Sequence, residues 1–217
     1  MQDAERVQAE EEHAPRTERM SRVDTAWLRM DNDVNLMMIV GVWLLTPALS
    51  MAALRERIES KLLKYDRFRQ KAVADAMGAQ WVTDSAFDIA QHVVPAKLHA
   101  KPGESQRHAL QHLCGDLAMT PLDREHPLWQ FHLIEDYEGG SAMIARVHHC
   151  IGDGIALISE MMSTASESQS LSSASSGFFS RLGGSAPPSV MLIITLMSAM
   201  PSPMQWWMRA TSALPPS

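Results

Sequence analysis

The chain is 217 residues long, 46% hydrophobic and 20% charged, a globular composition with enough apolar sequence for one sizeable core. Its formal net charge of -6 gains nothing from phosphate neutralisation and argues against nucleic acid as a partner. Two cysteines, Cys114 and Cys150, make no disulfide framework and fit a reducing compartment.

Residues 1–19 are rich in Glu, Gln and Arg, and no apolar run follows that would make a secretory signal. They read as a disordered, solvated tail, with the ordered lobe expected over 20–163. Ser21 to Leu28 opens that lobe. Asn35 to Thr46 is almost continuously apolar, ends at Pro47, and is too short to span a bilayer, so it reads as a buried strand. Ser50 can cap the next helix, in which Leu54, Ile58 and Leu62 recur every fourth residue until about Tyr65. Gln80 to Val82 reads as a short strand, and Val93 and Val94 as an extended segment before Pro95.

A second helix is expected from about Glu104. Leu110, Leu113, Cys114 and Leu117 share its apolar face, which makes Cys114 a small core residue. Pro121 to Pro127 carries turn chemistry. Trp129 to Glu135 and Ala142 to His148 read as two strands joined by a hairpin turn at Glu138-Gly139-Gly140. Gly152 and Gly154 mark a tight loop, and Ile155 to Met162 begin a helix. Serine dominates 164–189, which reads as a linker. The stretch 190–217 is apolar, with Trp206 and Trp207 beside Arg209. It suits a membrane interface, or a helix that packs on protein outside this chain. Sixteen methionines fit gap-filling in a core, and also contact with lipid chains.

The segment with chemical content is His148-His149-Cys150-Ile151-Gly152-Asp153-Gly154. Adjacent strand residues point to opposite faces, so only one of the two imidazoles can enter a given cleft. The glycines let the following backbone turn and approach a ligand closely. Asp153 can fix the loop through an ion pair, with Arg146 one candidate partner, because an unpaired buried carboxylate is costly. Zinc ligation by His148, His149, Cys150 and Asp153 competes poorly, since the histidines diverge and no CxxC or HExxH frame exists. A Cys150–His nucleophile pair fails on the same geometry, and a purely structural histidine pair remains open. Trp129 is expected to pack beneath the motif strand.

H-H-x-x-x-D-G at a strand-to-loop corner resembles the acyltransferase superfamily that includes chloramphenicol acetyltransferase and peptide-synthetase condensation domains. Within it the chain looks like the bacterial wax ester synthase/diacylglycerol acyltransferase family. The opening Ser21-x-x-Asp24-x-x-Trp27-Leu28, the strand with Met37, Met38 and Ile39, and Pro127-Leu128-Trp129 support that choice. The resemblance runs from about Ser21 to Met162.

It implies that His149 is the general base, taking the proton of a long-chain alcohol or diacylglycerol whose oxygen attacks a fatty acyl-CoA thioester. Asp153 then holds the loop, His148 supports it, and Gly154 keeps the approach to His149 open. Acyl-CoA is a co-substrate and no cofactor is bound. The implied setting is cytoplasmic, peripherally associated with the inner membrane or lipid bodies. Family members resemble two linked lobes with the site between them. This chain is therefore expected to hold only the N-terminal lobe, with a C-terminal lobe absent or supplied in trans. A condensation-type enzyme using carrier-protein thioesters, or a non-catalytic lipid-surface binder, are the alternatives. The expected fold class is α/β, a mixed β-sheet with packed helices forming one chloramphenicol acetyltransferase-like lobe. Its first strands alternate with helices and are expected to lie parallel.

Overall fold

A computed structural model of the protein describes residues 17–151 and the strand Ser189–Ile194. Three serines start its helices. Ser21 accepts the Asp24 amide at 3.0 Å ahead of α1 (Arg22–Met30). Ser50 accepts the Ala53 amide at 3.2 Å ahead of α2 (Met51–Arg57). Ser105 accepts the His108 amide at 3.2 Å ahead of α4 (Gln106–Ala118). Each hydroxyl satisfies an amide that the helix itself cannot. α2 widens into a π-helical stretch, Ile58–Leu62, and the expected stripe of Leu54, Ile58 and Leu62 is fully buried. A four-residue helix, α3 (Ile89–His92), is capped by Asp88.

The main sheet contains β2 (Met38–Leu45), β5 (Val93–Pro95), β6 (Trp129–Tyr137), β7 (Gly140–His148) and β8 (Ser189–Ile194), in the order β5-β6-β7-β2-β8. Only β5 and β6 run parallel; the other neighbours are antiparallel. A smaller antiparallel sheet joins β1 (Thr17–Arg19), β4 (Gly78–Thr83) and β3 (Gln70–Asp75) in the order β1-β4-β3. The chain is thus α/β with a mixed sheet. The expectation that its early strands lie parallel is corrected. The α1 and α2 connections carry the chain between the two sheets, and β2 pairs with the distant β7.

Other boundaries shift as well. Thr17–Arg19, placed in the expected tail, pairs with β4 as an edge strand. β3 was not expected as a strand; its Gln70-Lys71-Ala72-Val73 has weak alternation, and its pairing with β4 supplies the order. The start of the expected 190–217 segment, Val190 to Ile194, hydrogen-bonds to β2 as the last strand of the main sheet. The remaining expectations for residues 1–16, the helix from Ile155, the serine-rich stretch to Pro188, and Trp206 with Trp207 lie outside the described residues.

β7 is buried at all nine positions because the sheet is covered on both faces. On one face Trp43, Leu54, Phe68, Trp129, Phe131 and Met143 form the larger core. On the other, Val40, Val42, Ile134 and Ile144 meet α4 through Leu110, Cys114 and Ala118. Burial pushes the Cys114 thiol up to about 12, in keeping with a core residue. Trp129 does pack beneath the motif strand. It faces Val147 in the β6–β7 register, its indole N–H donates to the Phe68 carbonyl at 2.9 Å, and its ring stacks on His92 at 4.4 Å. The β6–β7 turn places Glu138 (φ 46°) and Gly139 (φ 79°) in the left-handed region. Gly140 lies so close to the Leu45 carbonyl that a Cβ there would collide with it.

Candidate active site

The end of β7 is clamped on both sides. The His148 amide donates to the Leu128 carbonyl at 3.0 Å, and the His149 amide to the Met37 carbonyl at 2.8 Å. Beyond this point the backbone leaves the sheet in a 3-10 turn, His149–Ile151. The two imidazoles consequently diverge. His148 turns into the protein and is 3% exposed. His149 is partly buried and lies against Trp27 of α1, with ring centroids 4.7 Å apart and planes 23° from parallel.

His148 is hydrogen-bonded at one nitrogen. Its Nδ1 accepts the Cys150 amide at 3.0 Å, which leaves Nε2 on the side of Asp31. That Nε2 lies 3.7 Å from Asp31 Oδ2, too long for a hydrogen bond but close enough for electrostatic attraction. Asp31 follows α1 directly and gathers the surrounding chain. It accepts the Met37 amide at 2.8 Å and the Arg124 guanidinium at 2.6 Å. Burial alone would push its carboxyl up, but His148, the Met37 amide and Arg124 together lower it to about 2.

The sign of that shift sets a pH window. A carboxyl depressed from 3.8 to about 2 contributes stability that is complete above about pH 4 and lost between about pH 4 and 2. Asp31→Asn is expected to lower stability at pH 7 by on the order of 2 kcal/mol. Urea titrations of both proteins should converge as the pH approaches 2. A difference that persists unchanged at pH 2 would mean that the carboxylate charge is not what holds the Met37–Arg124 junction.

His149 keeps its side chain uncommitted. Among the described residues its Nε2 has no hydrogen-bond partner and is shielded from water. Burial, and then the neighbouring His148, lower its pKa below the ordinary 6.5, so the ring is neutral at neutral pH and has a lone pair to accept a proton. Cys150 is also buried, and its thiol is pushed up by burial and by the Asp24 and Asp31 carboxylates, which removes it as a thiolate nucleophile. No group of three His, Cys, Asp or Glu side chains able to hold a metal occurs among the described residues.

Arg146, the suggested partner for Asp153, projects to the α4 side of the sheet. Its guanidinium donates to Gln130 Oε1 at 3.1 Å and to the Thr120 carbonyl just past the C-terminus of α4, where a helix presents partial negative charge. Burial lowers this guanidinium to about 10, and burial followed by the Arg146 charge lowers His132 to about 4. Gly152, Asp153 and Gly154 lie outside the described residues.

Sequence reasoning picked out His148 and His149, but it missed the residues that orient them. Trp27 was legible only as part of an opening segment, and Asp31, in Met30-Asp31-Asn32-Asp33, resembles any turn aspartate. No local spacing joins Trp27 to a histidine 122 positions away; the two meet in a fold in which β2, which follows α1, pairs with β7.

Residues 20–205 match the wax ester synthase/diacylglycerol acyltransferase catalytic domain. The chain is 31% identical over 145 residues to a probable diacylglycerol O-acyltransferase, tgs3, of Mycobacterium tuberculosis, covering 63% of this chain and 52% of that one. It superposes on the wax ester synthase/diacylglycerol acyltransferase of Marinobacter aquaeolei VT8 with a TM-score of 0.51 and 24% identity, over 64% of this chain and 35% of that one. The starter condensation domain of rhizomide synthetase gives a TM-score of 0.52 and 19% identity, over 67% and 36%. The two superpositions establish the shared fold. The chain spans about half, or less, of the length of these relatives.

Proposed function

This chain belongs to the wax ester synthase/diacylglycerol acyltransferase family, and on that premise we propose that it supplies the base-bearing lobe of an acyl-CoA-dependent O-acyltransferase. The observation that carries the reading is His149: an imidazole at the end of a doubly clamped strand, stacked on Trp27, with its Nε2 unpartnered among the described residues.

His149 Nε2 takes the hydroxyl proton of a long-chain alcohol or a diacylglycerol as the oxygen attacks the thioester carbonyl of a fatty acyl-CoA. The tetrahedral intermediate collapses, the C–S bond breaks, and the new ester leaves directly. The proton held on His149 returns to the coenzyme A thiolate, so the base is regenerated without an acyl-enzyme. A neutral base suits this step, because a protonated ring would have no lone pair to offer.

His148 supports the corner through Cys150 and Asp31. Asp153 fixes the following loop, and Gly154 keeps the approach to His149 open. The reaction needs no bound cofactor. Donors for the oxyanion formed on the attacked carbonyl, and the far wall of the substrate channel, come from a C-terminal lobe acting in trans. Because the acceptor is lipid-soluble, the protein works at a membrane or lipid-droplet surface, peripheral to the inner membrane on its cytoplasmic side. No helix among the described residues is long and apolar enough to cross a bilayer.

The test is a thiol-release assay with palmitoyl-CoA and either hexadecanol or dioleoylglycerol, run with and without a separately purified C-terminal lobe of a family member. Ester formation that depends on the added lobe is the expected result. Transfer from an acylated carrier protein but not from acyl-CoA would overturn the reading in favour of a condensation-type enzyme.

A further inference from the structure

We infer that the outer face of α1, together with the β3–β4 hairpin, is a docking surface for an anionic phospholipid bilayer. The inference rests on the lipid-soluble acceptor proposed above and names the surface that reaches it. α1 has two functional faces. Trp27 turns inward onto His149 and Leu28 into the core. Arg22, Ala26 and Arg29, three and four residues apart, line the opposite face, and Val23 and Met30 lie beside them seven apart.

This outward face lines a groove of about 460 Å³ together with Met77 of the β3–β4 turn and Arg19 of β1. The exposed apolar side chains are large: Val23 is 64% exposed, Met30 43% and Met77 83%. Among the described residues Arg19 pairs with Asp75, whereas no ion pair involves Arg22 or Arg29.

Arg22 and Arg29, without an ion pair among the described residues, thus stand beside a protruding valine and methionines. A soluble anion would meet the arginines but leave Met77 and Val23 in water. An anionic bilayer satisfies both: headgroup phosphates meet the guanidinium groups, and the apolar side chains enter the acyl boundary. The placement also has a chemical consequence. A helix is about 10 Å across, so a membrane against the outer face of α1 brings its dissolved alcohol within one helix diameter of the ring that takes the proton.

The test is flotation of the full chain with vesicles of phosphatidylglycerol and phosphatidylcholine, and with phosphatidylcholine alone. The wild type is expected to float with the anionic vesicles and to be released by salt. Arg22→Glu with Arg29→Glu, and separately Met30→Ser with Met77→Ser, are each expected to weaken binding about tenfold or more. Unchanged flotation of both double variants would overturn the assignment and move the contact elsewhere, such as to Trp206 and Trp207. A wild type that does not float would overturn it too. So would a double variant that loses melting temperature while floating normally, since that result means the face is covered by protein. Transfer to a short water-soluble alcohol, measured in parallel with the C-terminal lobe present, reports on the acyltransferase reading independently of any membrane.

Discussion

His149→Ala is expected to abolish acyl transfer, with kcat falling by about 10² to 10⁴, the span of general-base contributions. The loss should leave the fold intact, because the backbone of residue 149 is held by the Met37 carbonyl and not by the ring. Thiol release measured with the C-terminal lobe supplied gives the rate, and circular dichroism gives the fold. Trp27→Ala serves as the graded companion. It removes the stacking surface at 4.7 Å without removing the base, so it should lower kcat more than it raises KM. In the wild type, the acid limb of kcat/KM against pH should lie below the ordinary imidazole value of 6.5, because burial and then His148 disfavour the charged ring. If His149→Ala retained wild-type turnover, the base would have to be another group and the proposed mechanism would fail.

Trp129→Ala is expected to be the most destabilising single substitution in the described fold, at about 3–5 kcal/mol. The indole is 1% exposed and touches Phe68, His92 and Phe131 in the core that backs β7. Its removal also leaves the buried Phe68 carbonyl without its N–H donor. For a chain of this size the loss corresponds to a fall in melting temperature of about 6–20 °C. Trp129→Phe refills part of the volume but cannot donate the hydrogen bond, so it should cost about 1–3 kcal/mol. Urea midpoints for the pair separate the two contributions. A change below about 1 kcal/mol for Trp129→Ala would show that the β6–β7 hairpin does not depend on this packing.

The two residues illustrate how different signals survive into sequence. Trp129 was readable as a packing residue because it starts a strand ahead of a glycine turn, and a hairpin brings its register partner Val147 opposite by local geometry. The Leu54, Ile58 and Leu62 stripe was readable for the same reason, since helical spacing is also local. β3 was not legible: its weak alternation becomes a strand only when β4 pairs with it. The parallel arrangement expected of the early strands failed because alternation of helix and strand in sequence does not record which strand becomes the neighbour. β2 instead pairs with β7, about a hundred residues later.

Local spacing in the sequence carries the mixed α/β class, the buried apolar strands, the Ser50 cap and the diverging histidine pair at a strand end. All of these follow from spacings of a few residues, which fix which face a side chain takes and which amide a hydroxyl can reach. Only the tertiary structure decided that His149 rests on Trp27, that His148 looks toward Asp31, and that Arg124 and the Met37 amide share the same carboxylate. Those contacts join α1, the entry to β2, the loop before β6 and the end of β7. They come into being only where burial brings these separate segments together, and no local period encodes that meeting.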